Sequence, residues 1–221
     1  ALCDNNWSAS ENGADLLFYT TDANASQSER MRVGAAGEIT IKSRTGTDHG
    51  TMMNDAETIE IYVSKINGII ETTILIDITG LASYANNERV IGNGGSGTAE
   101  ITKITQAVNG LIYRVEMGCI EIPQDADGTI CTDIDLVADT TARAKDYNLG
   151  SSGTEIVVVQ GNDGWREGQW EASAFGPISD TRATNGLNNY YLHLATGAAV
   201  SSATDQYDGG KFIIKLYGAD F

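Results

Sequence analysis

The sequence predicts an all-β protein, an antiparallel β-sandwich, jelly-roll-like, with an extended N-terminal arm. Three observations point there. The stretch Glu57 to Gly80, ETIEIYVSKINGIIETTILIDITG, holds two apolar-alternating runs around Asn67-Gly68, and both turn residues accept the positive φ of a type I′ turn. With 25 glycines and 2 prolines in 221 residues, the composition suits many short strands joined by tight turns. Period-two apolar runs recur after the hairpin, about eight strands in all, which is the spacing of a two-sheet sandwich.

Residues 1–50 form the arm. They are polar, with apolar islands at Leu16-Leu17-Phe18-Tyr19, at Met31 to Val33, and at Ile39 and Ile41. The run LLFYTTDANASQSERMRVGAAGEITI reads as strand, polar loop, short strand, turn, strand, with Gly34 and Gly37 bracketing the turn. Nothing in it buries a core alone, so it is expected to order against a neighbour. Its candidate interface residues are Trp7, Leu16, Leu17, Phe18, Tyr19, Arg30, Met31 and Arg32. Apolar side chains without a local partner mark an interaction surface, and arginines in an acidic chain suit an acidic neighbour.

Residues 51–221 form the sandwich domain, entered through a turn-rich connector, Arg44 to Ala56. In the hairpin, Ile66 pairs with Ile69, so Val63 faces Thr72, Ile61 faces Ile74 and Ile59 faces Ile76. Glu60, Tyr62 and Ser64 fall on the other face, and a one-residue slip would mix the two sets. Leu81 to Gly97 reads as a loop ending in GNGGSG. The segment AEITKITQAVNGLIYRVEMGCIEIP reads as a second hairpin turning at Asn109-Gly110, with Val108 opposite Leu111, Ile104 opposite Val115 and Lys103 opposite Glu116. The helical spacing of Ile101, Ile104 and Val108 competes with that reading. Further strands are Ile130 to Val137, Glu155 to Gln160 (of the buried type), Tyr190 to Ala195 and Lys211 to Tyr217, the last one central or paired. The predicted core is Ile61, Ile74, Ile76, Ile104, Val115, Ile134, Val157 and Ile214.

The net charge of −16, 30 acidic against 14 basic residues, argues against free nucleic acid as a partner, since phosphate binding needs a basic surface. It reads as solubility. No apolar run approaches the roughly 20 residues of a membrane-spanning helix, and ALCDNNWSAS is not expected to be a secretory signal. Three cysteines, Cys3, Cys119 and Cys131, are too few for a disulfide scaffold or a zinc site. Cys119 and Cys131 flank a turn at Gln124 to Gly128 and would face each other if Ile120 paired with Ile130. Two thiols are expected, given cytosolic production.

GNGGSG satisfies G-x-G-x-x-G, but a dinucleotide site needs a helix opening there. His49 and His193, without a third histidine or a suitable cysteine, do not make a catalytic metal site. His193 is expected to face solvent or an interface. Asp125, Asp127, Asp133 and Asp135 form an acidic cluster that begins like a calcium loop but lacks its bidentate Glu, and it reads as a solvated face. So many carboxylates make any glycosidase-like pair unremarkable. Trp165 and Trp170, with Arg166 and Phe175, lie in the long connection of residues 161–189. Such aromatics either stack on sugar rings or plug the sandwich or an interface, and the plug is preferred. No catalytic residue, metal or cofactor is assigned.

Glu29 to Ile41, ERMRVGAAGEITI, resembles the E-R-M-R-[IV]-x-x-x-G-x-[IV] element of bacteriophage virion fibres and related appendage proteins. There it follows a short strand and an acidic, Thr/Ser/Ala-rich loop, as TTDANASQSE does here. From Gly68 to Phe221 the chain resembles virion structural proteins of tailed phages of aquatic bacteria. ETTILIDITGL, TKITQAVNGLIYRVEMGCIEIP, DIDLVAD and GGKFIIKLYGADF carry that likeness. The resemblance implies a non-enzymatic virion protein made in the host bacterial cytoplasm, foremost a capsid decoration or cement protein. A tail fibre, spike or receptor-binding component is the alternative, and a carbohydrate-active virion enzyme ranks third. The implied partners are the protein itself, as a homotrimer like many phage decorations and fibres, and the major capsid protein or other virion proteins.

Overall fold

The computed structural model describes residues 2–3, 14–21, 27–34, 39–41, 49–56, 58–82, 88–124, 131–149, 153–161, 164–173, 187–197 and 206–220. The chain divides into two compact units, Ala1–Thr45 and Gly46–Phe221. In the first, β1 (Leu2–Cys3), β2 (Ala14–Thr21), β3 (Gln27–Val33) and β4 (Ile39–Ile41) form one antiparallel sheet in that order. The apolar islands pair with one another: Leu16 stands opposite Val33, Phe18 opposite Met31, and Met31 opposite Ile41. Loop-length spacers separate the islands, so each can meet the next as a strand. The three strands read in this segment thus pair with one another as a small sheet.

The second unit is a sandwich of two antiparallel sheets. β5 (Thr58–Ile66) and β6 (Ile69–Asp77) form the hairpin in the expected register, from Ile66 against Ile69 to Ile59 against Ile76. Asn67 and Gly68 turn it with φ of 52° and 79°. Thr72, Ile74 and Ile76 are buried, as the alternation requires. β13 (Gly209–Ala219) is central, flanked by β6 on one side and β8 (Leu111–Gln124) on the other, and β11 (Trp170–Ala172) lies beyond β8. The facing sheet runs in the order β10 (Ile156–Val159), β9 (Ile134–Asp139), β12 (Tyr191–Thr196), β7 (Thr102–Lys103). One core contains Ile74, Ile76, Val115, Met117, Ile214 and Leu216 of the five-stranded sheet and Ile134, Leu136, Leu192 and Leu194 of the other.

The second Asn-Gly does not turn a hairpin. Gln106–Asn109 winds into one helical turn, α1, while Ile101 and Ile104 lie outside it with β7 between them. Asn109 is buried, its Oδ1 accepting the Thr105 N–H at 3.0 Å and its Nδ2 donating to Thr72 Oγ1 at 3.0 Å. Gly110, at φ 71°, sits so close to β13 that a Cβ would stand 2.8 Å from the Ala219 carbonyl oxygen. The chain then splits between sheets. Lys103 pairs with Tyr191, and Glu116 pairs with Lys215, not with Lys103. Tertiary packing on β6 and β13 overrides the local turn signal.

Of the predicted core, Ile74, Ile76, Ile104, Val115, Ile134 and Ile214 are buried. Ile61, on the edge strand β5, is half-buried and packs against them. Val157 is 46% exposed, contrary to expectation. β10 is an edge strand whose Ile156 and Val158 point inward, so the intervening valine points out.

Candidate assembly interface

The first sheet has an open apolar face. Leu16 and Phe18 of β2, with Val33 and Met31 opposite them on β3, share it. Leu16 is 46% and Phe18 48% exposed, while Met31 and Val33 are half-buried. The reverse face is polar where Arg32 donates from Nη1 to Asp15 Oδ2 at 2.8 Å. Arg32 thus meets an acidic partner within its own sheet. Leu17, opposite Arg32, is half-buried, and Tyr19 is exposed. A bulge at Phe18/Tyr19 leaves Arg30 as the extra residue of β3. Trp7 lies outside the described residues.

The other candidates resolve into packing. Trp165 is buried edge-on to Phe212, with centroids 5.5 Å apart, and its indole N–H donates to the Ile134 carbonyl at 2.8 Å. Trp170, by contrast, lies exposed on β11, and Phe175 is outside the described residues. Gly94 to Gly97 is an exposed bend, with Asn93 Oδ1 accepting the Gly95 N–H at 3.1 Å. No helix opens there, so the loop lacks the amide cradle a dinucleotide needs. His49 bonds Asn54 Oδ1 at 3.2 Å. Cys119, on β8, and Cys131, in the segment before β9, are buried free thiols. Burial pushes both up to about 11, which keeps them protonated and unreactive.

Asp125 and Asp127 lie outside the described residues. Asp135 is not solvated: it is buried and accepts the Gly161 N–H at 2.7 Å. Burial pushes its carboxyl up to about 6, with Asp133 and Glu88 adding to the rise and the Gly161 bond opposing it. Among the described residues, no three His, Cys, Asp or Glu side chains gather as metal ligands.

His193 is buried rather than solvent-facing. Its Nε2 accepts the Arg143 backbone N–H at 3.0 Å, and burial pushes the imidazole down to about 4. Beside it, buried Asp139 accepts from Arg143 Nε at 2.5 Å, Thr154 Oγ1 at 2.9 Å and the Thr141 N–H at 3.0 Å. The Arg143 guanidinium lies 4.1 Å over the Tyr147 ring, whose hydroxyl donates to Glu155 Oε1 at 2.9 Å. This network fastens the segment after β9 across the sheet face that holds Asp135, Val137 and His193. Its members are scattered along the sequence, and only the i,i+4 pair Asp139 and Arg143 leaves a local trace. No family model, curated protein or solved structure matches the chain.

Proposed function

We propose that the protein is a structural component of a tailed-bacteriophage virion, a capsid decoration or cement protein that assembles through its N-terminal sheet. The partners are further copies, as a homotrimer, and the major capsid protein or another virion protein. The observation that carries the assembly reading is the open apolar face of Leu16, Phe18, Met31 and Val33. A small sheet with one bare apolar face is marginal by itself. Covering a fully exposed leucine or phenylalanine is worth about 1.5–3 kcal/mol, and roughly half that for residues already half-covered. Cyclic closure gives every copy a matched pair of surfaces. The placement on a virion is supported by the sequence likenesses at Glu29 to Ile41 and from Gly68 onward. The first of these favours a second reading, a fibre, spike or receptor-binding component, which shares the assembly mechanism and differs in location.

Replacing Leu16 and Phe18 together with glutamate tests both halves. The wild type should sediment as a trimer and bind undecorated heads. The double variant should keep the sandwich fold, sediment as a monomer and lose head binding. A wild-type monomer that never associates with virions defeats the reading.

A further inference from the structure

The outer face of the five-stranded sheet carries a feature that N-terminal assembly leaves unused. One cross-strand row runs Glu60, Leu75, Ile213, Gly118, Trp170, over all five strands. Gly118 has no side chain, and Trp170 fills its place. A Cβ on Gly118 would stand 2.5, 2.6 and 2.7 Å from the indole atoms Cε2, Cδ2 and Cζ2. A point that close to three adjacent ring atoms lies over the ring, not beside it. The indole therefore lies flat on the strand, and its other face is open, leaving the residue 48% exposed.

Beside this platform, a hollow of about 330 Å³ opens among Leu75, Ile120 and Ile213, with Asp77 and Lys211 at its end. Ile120 is 47% exposed. Polar pairs border the apolar strip. Lys211 bonds Glu121 at 2.5 Å and stands 3.4 Å from Asp77. Lys215 bonds Glu71 at 3.0 Å, and Tyr217 bonds Glu116 at 3.0 Å. Each carboxylate has more lone pairs than these bonds use and can accept a further hydroxyl.

A flat aromatic platform, an aliphatic hollow in line with it and a border of acceptors suit a ligand with a flat C–H face and a rim of hydroxyl donors. A pyranose with equatorial hydroxyls has that form, and a β-linked chain presents such faces in an extended line. The acidic balance of the chain, −16, and the acid-rich border disfavour anionic sugars. We propose that this face binds neutral β-linked glycans, with Trp170 stacking on one pyranose ring and the next ring seated over Leu75, Ile120 and Ile213.

Cellohexaose and laminarihexaose, titrated into the full chain at millimolar concentration, test the site, with helical maltohexaose as the control. The indole N–H resonance of Trp170 should shift saturably with at least one β-linked probe, while that of buried Trp165 stays in place. Trp170→Ala should weaken binding at least tenfold without lowering the melting temperature of the sandwich. Gly118→Ala, which lifts the ring, should weaken it as well and serves if Trp170→Ala does not fold. Silence of the Trp170 resonance toward both β-linked probes overturns the proposal, as does unchanged affinity in a folded variant. So does a change in oligomeric mass on Trp170→Ala without glycan binding, which would make the face a contact between copies.

Discussion

Asp135 and His193 lie on one face of the four-stranded sheet and give stability opposite slopes with pH. His193 is depressed from 6.5 to about 4, so its contribution is complete above pH 6.5 and is lost as pH falls through 4. Asp135 is raised from 3.8 to about 6, so its contribution is complete below pH 3.8 and is lost as pH rises through 6. Each shift is about two units, on the order of 3 kcal/mol, and between about pH 4 and 6 the two oppose each other. Asp135→Asn removes one slope. Relative to the wild type, the variant should lose on the order of 2–3 kcal/mol as pH falls from 6.5 to 4, read from urea melts across that range. A variant that tracks the wild type would show that Asp135 does not carry the opposing slope. Neither residue's burial was legible in the sequence. A strand covered on both faces has no alternation to read, and the cover over His193 comes from Arg143, fifty positions away in the chain.

At the scale of elements, two Asn-Gly pairs behave differently, and the reason is physical. Around Asn67-Gly68, turn chemistry and a period-two pattern on both sides agree on one register, so the hairpin could be read residue by residue. Around Asn109-Gly110, the flanking pattern also fits a helical turn, and Asn109 is bonded to Thr72 on another strand. That bond is non-local, so no window of sequence contains it. Ile74→Ala, a core truncation in the first hairpin, should cost about 2–5 kcal/mol. Asn109→Ala leaves Thr72 Oγ1 and the Thr105 N–H without those partners and should cost about 1–3 kcal/mol. Denaturant melts measure both, and a change near zero at Asn109 would reduce it to a passive turn residue. The short strand β11 and the exposed Val157 were missed for a related cause, because edge position depends on strand order, which local patterning does not encode.

At the scale of the whole molecule, the excess of 30 acidic over 14 basic residues sets a self-repulsion that salt screens. Sodium chloride should raise the melting temperature, and calcium at equal ionic strength should raise it by the same amount. A larger shift with calcium would mark a specific site on the folded state. The all-β sandwich was legible because composition, turn signals and alternation agreed; the small N-terminal sheet was less so, because its islands are short and polar segments separate them. The place of β13 has a bearing on how the chain is made. Residues 209–219 leave the ribosome after all the other strands of their sheet, yet they separate β6 from β8. Until they arrive, both neighbours present open edges beside a bare apolar face, the pairing template through which nascent chains aggregate. Translation that halts before Gly209 leaves a four-strand sheet split down its middle, and the interval before β13 docks is when a chaperone has most to protect.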